Sequence, residues 1–325
     1  MDAKDRKILY ELDKNSRESF TRIGKLAQVA PESVGYRVKN YLKEGIIKYF
    51  LTIIDSTKLG ASYYDVFIKL QNVDSKKKKE VMSFFINNPS ITWMADLEGM
   101  FDIAMIIKVQ NQLELQRVMK QINQKFSSVM MKKTLAINLK GEFFRRDYLV
   151  NKKRLELAST KQKKTELEYA PTEKVIEIDE KDTEICRLLA NNSRMTSVEI
   201  GQKLKISADT AVLRIKKLQK QGIISGFTLI LDNEKINQLH YKILLYLNNS
   251  SEEKTNRLLS FIRNNNQVIA LISTLAEWDY EIDLEVSNVN QLKDFTMELT
   301  NNFSGIIKDY NTLRIVDMPK YNFFP

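Results

Sequence analysis

Cysteine and histidine occur once each in this 325-residue chain, as Cys186 and His240. A single cysteine excludes an internal disulfide, and with one histidine it leaves no cluster of ligands for a metal. Glycine is sparse too, ten residues in all, and no glycine-rich phosphate loop follows a predicted strand. No catalytic constellation is visible, so neither an enzyme nor a cofactor is expected. Apolar runs such as Ile103–Ile107 fall far short of the ~20 residues that span a bilayer. No apolar stretch follows Met1-Asp2-Ala3-Lys4-Asp5-Arg6, and the chain is expected in a reducing cytoplasm, away from membranes. Cys186 reads as a small buried hydrophobe, and His240 as a strand-opening residue at a polar surface.

Charge is present in excess of one sign, with 51 Lys and Arg against 41 Asp and Glu. Its distribution is uneven. Residues 1–50 carry 11 basic and 7 acidic side chains, and residues 178–227 carry 9 and 6. Residues 51–147 are +5 (15 against 10), whereas 228–325 are −4 (9 against 13). The two basic segments suit a polyanion. They are also copies of each other: residues 5–60 match residues 182–237 without a gap at 18 of 56 positions. Among the matches are Asp5/Asp182, Asn15-Ser16-Arg17/Asn192-Ser193-Arg194, Ile23-Gly24/Ile200-Gly201, Arg37/Arg214 and Gly45-Ile46-Ile47/Gly222-Ile223-Ile224. The same offset of 177 later pairs Phe101-Asp102 with Trp278-Asp279. So long a period is a duplicated pair of domains, not a solenoid repeat of 20–50 residues.

Each copy opens with three helical signals. Ile8, Leu9 and Leu12 recur at helical spacing, Thr21–Ala27 forms a shorter helix, and Pro31 opens a third that stops at Gly45. Ser207 is the matching N-cap in the second copy, and Gly222 the stop. An extended segment follows in each, and then a β-α-β-β-α-β order, the ferredoxin-like split unit. The predicted class is α+β: two winged helix-turn-helix domains, residues 1–54 and 178–231, alternating with two ferredoxin-like domains, 55–147 and 232–325. Residues 148–177, charged and poor in large apolar side chains, read as a linker.

On a helical wheel of the third helix, Val34, Val38, Tyr41 and Leu42 face inward, while Glu32, Ser33, Tyr36, Lys39 and Asn40 face out. In the second copy Ala211, Ile215 and Leu218 face inward, and Asp209, Thr210, Leu213, Lys216 and Lys217 outward. An outward Tyr36 or Leu213 among Lys, Ser, Thr and Asn is odd for a solvated face. It suits a DNA groove, where an apolar group meets a thymine methyl and polar groups meet base edges or phosphates. Duplex DNA is therefore the expected partner. Arg17, Arg37, Arg194 and Arg214 join these outward residues as candidate DNA contacts.

These residues resemble the Lrp/AsnC (feast/famine) family of bacterial and archaeal transcription regulators. The resemblance rests on Asp5-Arg6-Lys7-Ile8-Leu9-Tyr10-Glu11-Leu12, Asn15-Ser16-Arg17, and Arg37-Val38 through Leu42 to Gly45-Ile46-Ile47, with equivalents from Asp182 to Ile224. It implies that the ferredoxin-like modules dimerise and bind a small effector, often an amino acid. The family's Gly-x-(aromatic)-Asp turn is matched by Gly99-Met100-Phe101-Asp102, and in the second copy by Ala276-Glu277-Trp278-Asp279, without the glycine. Gly99, Asp102 and Asp279 are thus candidate effector contacts, with Thr134 a further one by resemblance. A homo-oligomer built from intrachain pseudo-dimers is expected. Rival readings are an architectural DNA binder of low specificity and a siroheme decarboxylase-like enzyme on the same fold.

Overall fold

The computed structural model describes residues 1–151, 154, 167–170, 172, 174–248 and 251–324, so much of the linker read over 148–177 lies outside the described residues. The first copy holds α1 (Ala3–Lys14), α2 (Phe20–Ala27), α3 (Pro31–Lys43), β1 (Ile47–Ile54), β2 (Ser62–Leu70), α4 (Ser75–Asn87), β3 (Ile91–Glu98), β4 (Ile103–Val109), α5 (Gln112–Phe126) and β5 (Met130–Phe143). A short β6 (Leu167–Tyr169) falls within the span read as linker. The second copy repeats the order as α6 (Glu180–Ala190), α7 (Ser197–Leu204), α8 (Ala208–Lys220), β7 (Ile224–Leu231), β8 (Leu239–Leu247), α9 (Glu252–Asn264), β9 (Val268–Leu275), β10 (Tyr280–Val286), α10 (Val289–Phe303) and β11 (Ile307–Tyr321). Both α+β halves are present, each with three helices ahead of a β-α-β-β-α-β module.

Each module arranges its strands with the last beside the first: β5-β2-β4-β3 and β11-β8-β10-β9. The last strands run past the ends that the sequence pattern suggested. β5 pairs with β2 as far as Ile137, and from Ile137 to Phe143 with β9 of the other module. β11 likewise pairs with β8, and then with β3 from Arg314 to Tyr321. The eight strands therefore close into a ring, β2-β4-β3-β11-β8-β10-β9-β5 and back to β2. Closure leaves these strands few unpaired backbone groups at an edge. Inside the ring pack Phe67, Trp93, Phe101, Leu244, Trp278 and Leu313, drawn from both modules. Outside it, α4 and α5 cover one module and α9 and α10 the other.

The helix-turn-helix units are joined as closely. β1 pairs antiparallel with β7, so neither unit completes a wing alone. Leu229, Leu231 and Ile236 enter the first unit's core, and Ile54 enters the second's. Cys186 is buried in that second core, where burial pushes its thiol up to about 12. His240 is not at a polar surface but buried, because the covering module shields the inner face of β8.

One side chain fastens the helix-turn-helix pair to the sheet. Arg146, just beyond β5, is buried and reaches Asp13 on α1 (2.7 Å) and Glu285 on β10 (2.9 Å). Tyr148 adds a hydrogen bond to Glu285 at 2.5 Å. Burial alone would lower the Arg146 pKa, but the two carboxylates hold it well above the usual guanidinium range. Truncation leaves two carboxylates buried with no cation between them. Arg146→Met should therefore cost about 3–5 kcal/mol in denaturant unfolding; a loss under ~1 kcal/mol would show that water replaces the guanidinium.

Candidate DNA interface

The turn between α2 and α3 is set by backbone geometry. Gln28 ends α2 with φ of 58°, and a Cβ on Gly24 would lie 2.5 Å from the Val29 carbonyl oxygen, so only glycine allows so tight a turn. Gly201 and Lys205 repeat this arrangement in the second copy. Pro31 and Ser207 then start α3 and α8, and Ser207 Oγ accepts a hydrogen bond from Thr210 N. Val34, Val38 and Tyr41 are buried, as are Ala211, Ile215 and Leu218. Leu42, read as inward, is instead 46% exposed; it sits at the rim, where the second copy has Gln219.

Ser33, Tyr36 and Lys39 are exposed on α3, with Asn40 half-buried beside them. On α8, Leu213, Lys216 and Lys217 are exposed and Thr210 half-buried. Tyr36 and Leu213 are 68% and 66% exposed, unusual for large apolar side chains on helices whose other faces are so well packed.

The four arginines read as DNA contacts also make bonds within the protein. Arg37 bonds Asp2 (3.0 Å) and Asp5, and Arg214 bonds Asp179 and Asp182 (2.7 Å each), which ties each recognition helix to the start of the first helix. Arg17 and Arg194 serve the interface between the copies. Arg17 donates to the backbone carbonyls of Ser193 and Met195, and Arg194 to those of Ser16 (2.5 Å) and Glu18 (3.1 Å). Each also lies over aromatic rings of the other copy: Arg17 over Phe227, Arg194 over Phe20 and Phe50. Between them Ser16 Oγ and Ser193 Oγ meet at 2.5 Å. Partial burial lowers both guanidinium pKa values. Through Nη1, Arg37 and Arg214 brace the recognition helices and Arg17 and Arg194 the interface between the copies. Two further lysines, missed in the sequence, do similar work. Lys235 Nζ donates to Glu44 O beyond the end of α3 (2.6 Å), and Lys58 Nζ to Gly222 O beyond α8 (3.1 Å). Their identity across the repeat, Lys58/Lys235, was the available signal.

The turn residues read as effector contacts are also engaged. Asp102 Oδ2 accepts from Leu70 N (2.7 Å) and Oδ1 from Lys69 Nζ (3.0 Å). Asp279 Oδ2 accepts from Leu247 N at 2.7 Å. Gly99 has φ of 138°, and a Cβ there would sit 2.9 Å from Leu313 Cδ2, so the glycine lets the turn fit against β11. Thr134 is buried, with its hydroxyl unpartnered.

The profile of the AsnC-type helix-turn-helix domain matches residues 1–41 and 178–219. An HTH-type transcriptional regulator of Pyrococcus horikoshii is 31% identical over 123 residues, 38% of this chain and 81% of that protein. The HTH-type transcriptional regulator Ptr1 of Methanocaldococcus jannaschii is 30% identical over 122 residues, 37% of this chain and 80% of its own length. The chain belongs to the AsnC-type helix-turn-helix family. It is a DNA-binding transcription regulator of the Lrp/AsnC type with a duplicated body. Among solved structures, the siroheme decarboxylase NirDL matches 98% of this chain and 93% of its own, with TM-score 0.63 and 12% identity, a likeness of fold.

Because Asp102 closes a turn, Asp102→Ala should lower stability by about 1–3 kcal/mol through the unpaired Leu70 N–H. Thermal melts of this variant and of Asp279→Ala check it, and two unchanged melting temperatures would return these carboxylates to a ligand-binding role.

Proposed function

We propose that one chain acts as a complete, non-catalytic pseudo-dimer whose two unlike recognition helices read an asymmetric DNA site. The observation that carries this is the exposure of Tyr36 and Leu213 at equivalent places on α3 and α8, flanked by Ser33, Lys39 and Asn40 in one copy and Thr210, Lys216 and Lys217 in the other. Tyr36 can hydrogen-bond a base edge or phosphate as well as touch a methyl group; Leu213 offers only the apolar contact. A site read by both is therefore no perfect palindrome. Lys217 also bonds Asp182 at 2.9 Å, so it binds a phosphate only by sharing or leaving that partner.

The same reading places the protein in the cytoplasm with its DNA, and no helix among the described residues is long and apolar enough to cross a membrane. It also includes association of several chains. Met131, Leu135, Leu139 and Leu275 are exposed on β5 and β9, an apolar strip whose counterparts at the repeat offset are Lys308, Thr312, Val316 and Glu98. A second chain meeting this strip is the partner we favour. The rival is a tetrapyrrole enzyme, suggested by the fold of the siroheme decarboxylase. Adding siroheme should leave its absorbance bands unshifted and its acetate side chains intact.

Tyr36→Ala and Leu213→Ala should each lower affinity for the specific site by ~1–3 kcal/mol while leaving random-sequence binding unchanged. Equal losses on both DNAs would refute base readout, and continuous coating in a footprint would favour the architectural rival. Lys39→Ala and Lys216→Ala should weaken binding to every sequence and reduce the salt dependence by about one unit each. An unaltered slope would place those ammonium groups in solvent.

A further inference from the structure

Between the helix-turn-helix pair and the closed sheet lies a cavity of about 60 Å³, room for roughly four or five water-sized groups. Trp93 and Tyr321 line it with His240 on β8 and Asp283 on β10. Three cations stand at its wall as well: Arg146, bound to Asp13 and Glu285, Lys14, paired with Glu11 at 2.8 Å, and Arg145. His240 is 4% exposed, and neither ring nitrogen has a hydrogen-bond partner. Its Nε2 lies 3.9 Å from Asp283 Oδ2. An unpartnered imidazole at the wall of a cavity is costly unless something occupies the space beside it.

Charge points to what that occupant is. Asp13 and Glu285 share one cation, Arg146. Glu281 and Asp283 share another, Lys242, at 2.9 and 2.8 Å. All six groups are buried or nearly so, which leaves four carboxylates against two cations. Burial pushes the Asp65 carboxyl up, as it also does that of Asp13. Burial also lowers the His240 pKa despite Asp283 and Glu285 nearby, so the imidazole is no ready counter-ion.

The fold does not demand these charges. At the equivalent places 177 positions away stand Tyr63 for His240, Ile106 for Asp283, Ala104 for Glu281 and Phe323 for Arg146. Lys242 and Glu285 have charged counterparts of opposite sign, Asp65 and Lys108, so one of the two equivalent sites carries a histidine, two carboxylates and a guanidinium that the other lacks. We infer that this cavity is a binding site for a small organic ammonium ion, whose N–H groups donate to Asp283 and His240 and whose charge faces the rings of Trp93 and Tyr321. Only the consequence rests on the regulator reading: Asp13, Thr228 and Leu229 line the same cavity and belong to the DNA-binding pair, so occupancy would alter DNA affinity.

The test uses the full chain without DNA, titrated with ethylamine, putrescine and glycine, with acetate as the anionic control. Calorimetry reads binding, and so does tryptophan emission, since Trp93 is one of only two tryptophans. Saturable binding of at least one ammonium probe is expected, with a rise in melting temperature. Ethylamine or putrescine binding without glycine marks a simple amine; glycine binding better than both marks an α-amino acid. Asp283→Asn should weaken binding about tenfold or more. If Asp283→Asn melts without a cooperative transition, His240→Gln and Trp93→Leu take its place, with the same loss expected. No saturable binding by any probe up to ~10 mM, preference for acetate, or unchanged affinity in all folded variants would overturn the site. Ammonium binding that leaves DNA affinity unchanged would support the site and remove its coupling to DNA.

Discussion

Two strands hold this molecule together by belonging to two modules at once. The first part of β5 or β11 completes its own ferredoxin-like module, and the remainder completes the other. Neither module can close its sheet without its copy, so the core between them forms only when both are folded. The arrangement also explains why charged residues occur deep in the protein. A strand such as β10, with Glu281, Asp283 and Glu285 alternating with apolar side chains, would be half-solvated in an open sheet; here the other module covers its polar face.

The helix-turn-helix pair follows the same logic with different chemistry. The β1–β7 pairing, the meeting of Ser16 with Ser193 and the crossing of Arg17 and Arg194 repeat on either side of one pseudo-two-fold axis. Lys58 and Lys235 extend it by capping the recognition helix of the opposite copy. The spacing of α3 and α8 is therefore fixed by buried and half-buried bonds, not by a tether. For a protein that places two helices on a duplex, a fixed separation converts directly into a fixed half-site spacing.

The repeat, the helices and the strand order were legible because they depend on local pattern: the period of Ile8, Leu9 and Leu12, the stop at Gly45, the alternation of extended and helical segments after it. What escaped depends on the partner copy. Residues 140–143 and 317–321 carry no strong strand signal of their own, and they extend because β9 and β3 offer free backbone groups. Arg17, Arg37, Arg194 and Arg214 were recognisable as important basic residues, but sequence cannot show whether a guanidinium faces DNA or an internal carbonyl. Asp102 and Asp279 stood out as the acids of two equivalent turns, but the N–H groups they accept from belong to strands some 32 residues earlier. His240 looked isolated because its neighbours, Asp283 and Trp93, come from distant strands.

Joining both halves in one chain changes how the unit responds to dilution. A dimer of separate chains dissociates as its concentration falls below its dissociation constant, and its DNA affinity then falls with it. Here the halves belong to one chain, so their meeting does not depend on the amount of protein present. The paired recognition helices therefore persist when only a few copies of the protein are present. Each half is also free to change its side chains without first changing its partner's, since no identical second chain has to accommodate the same substitution.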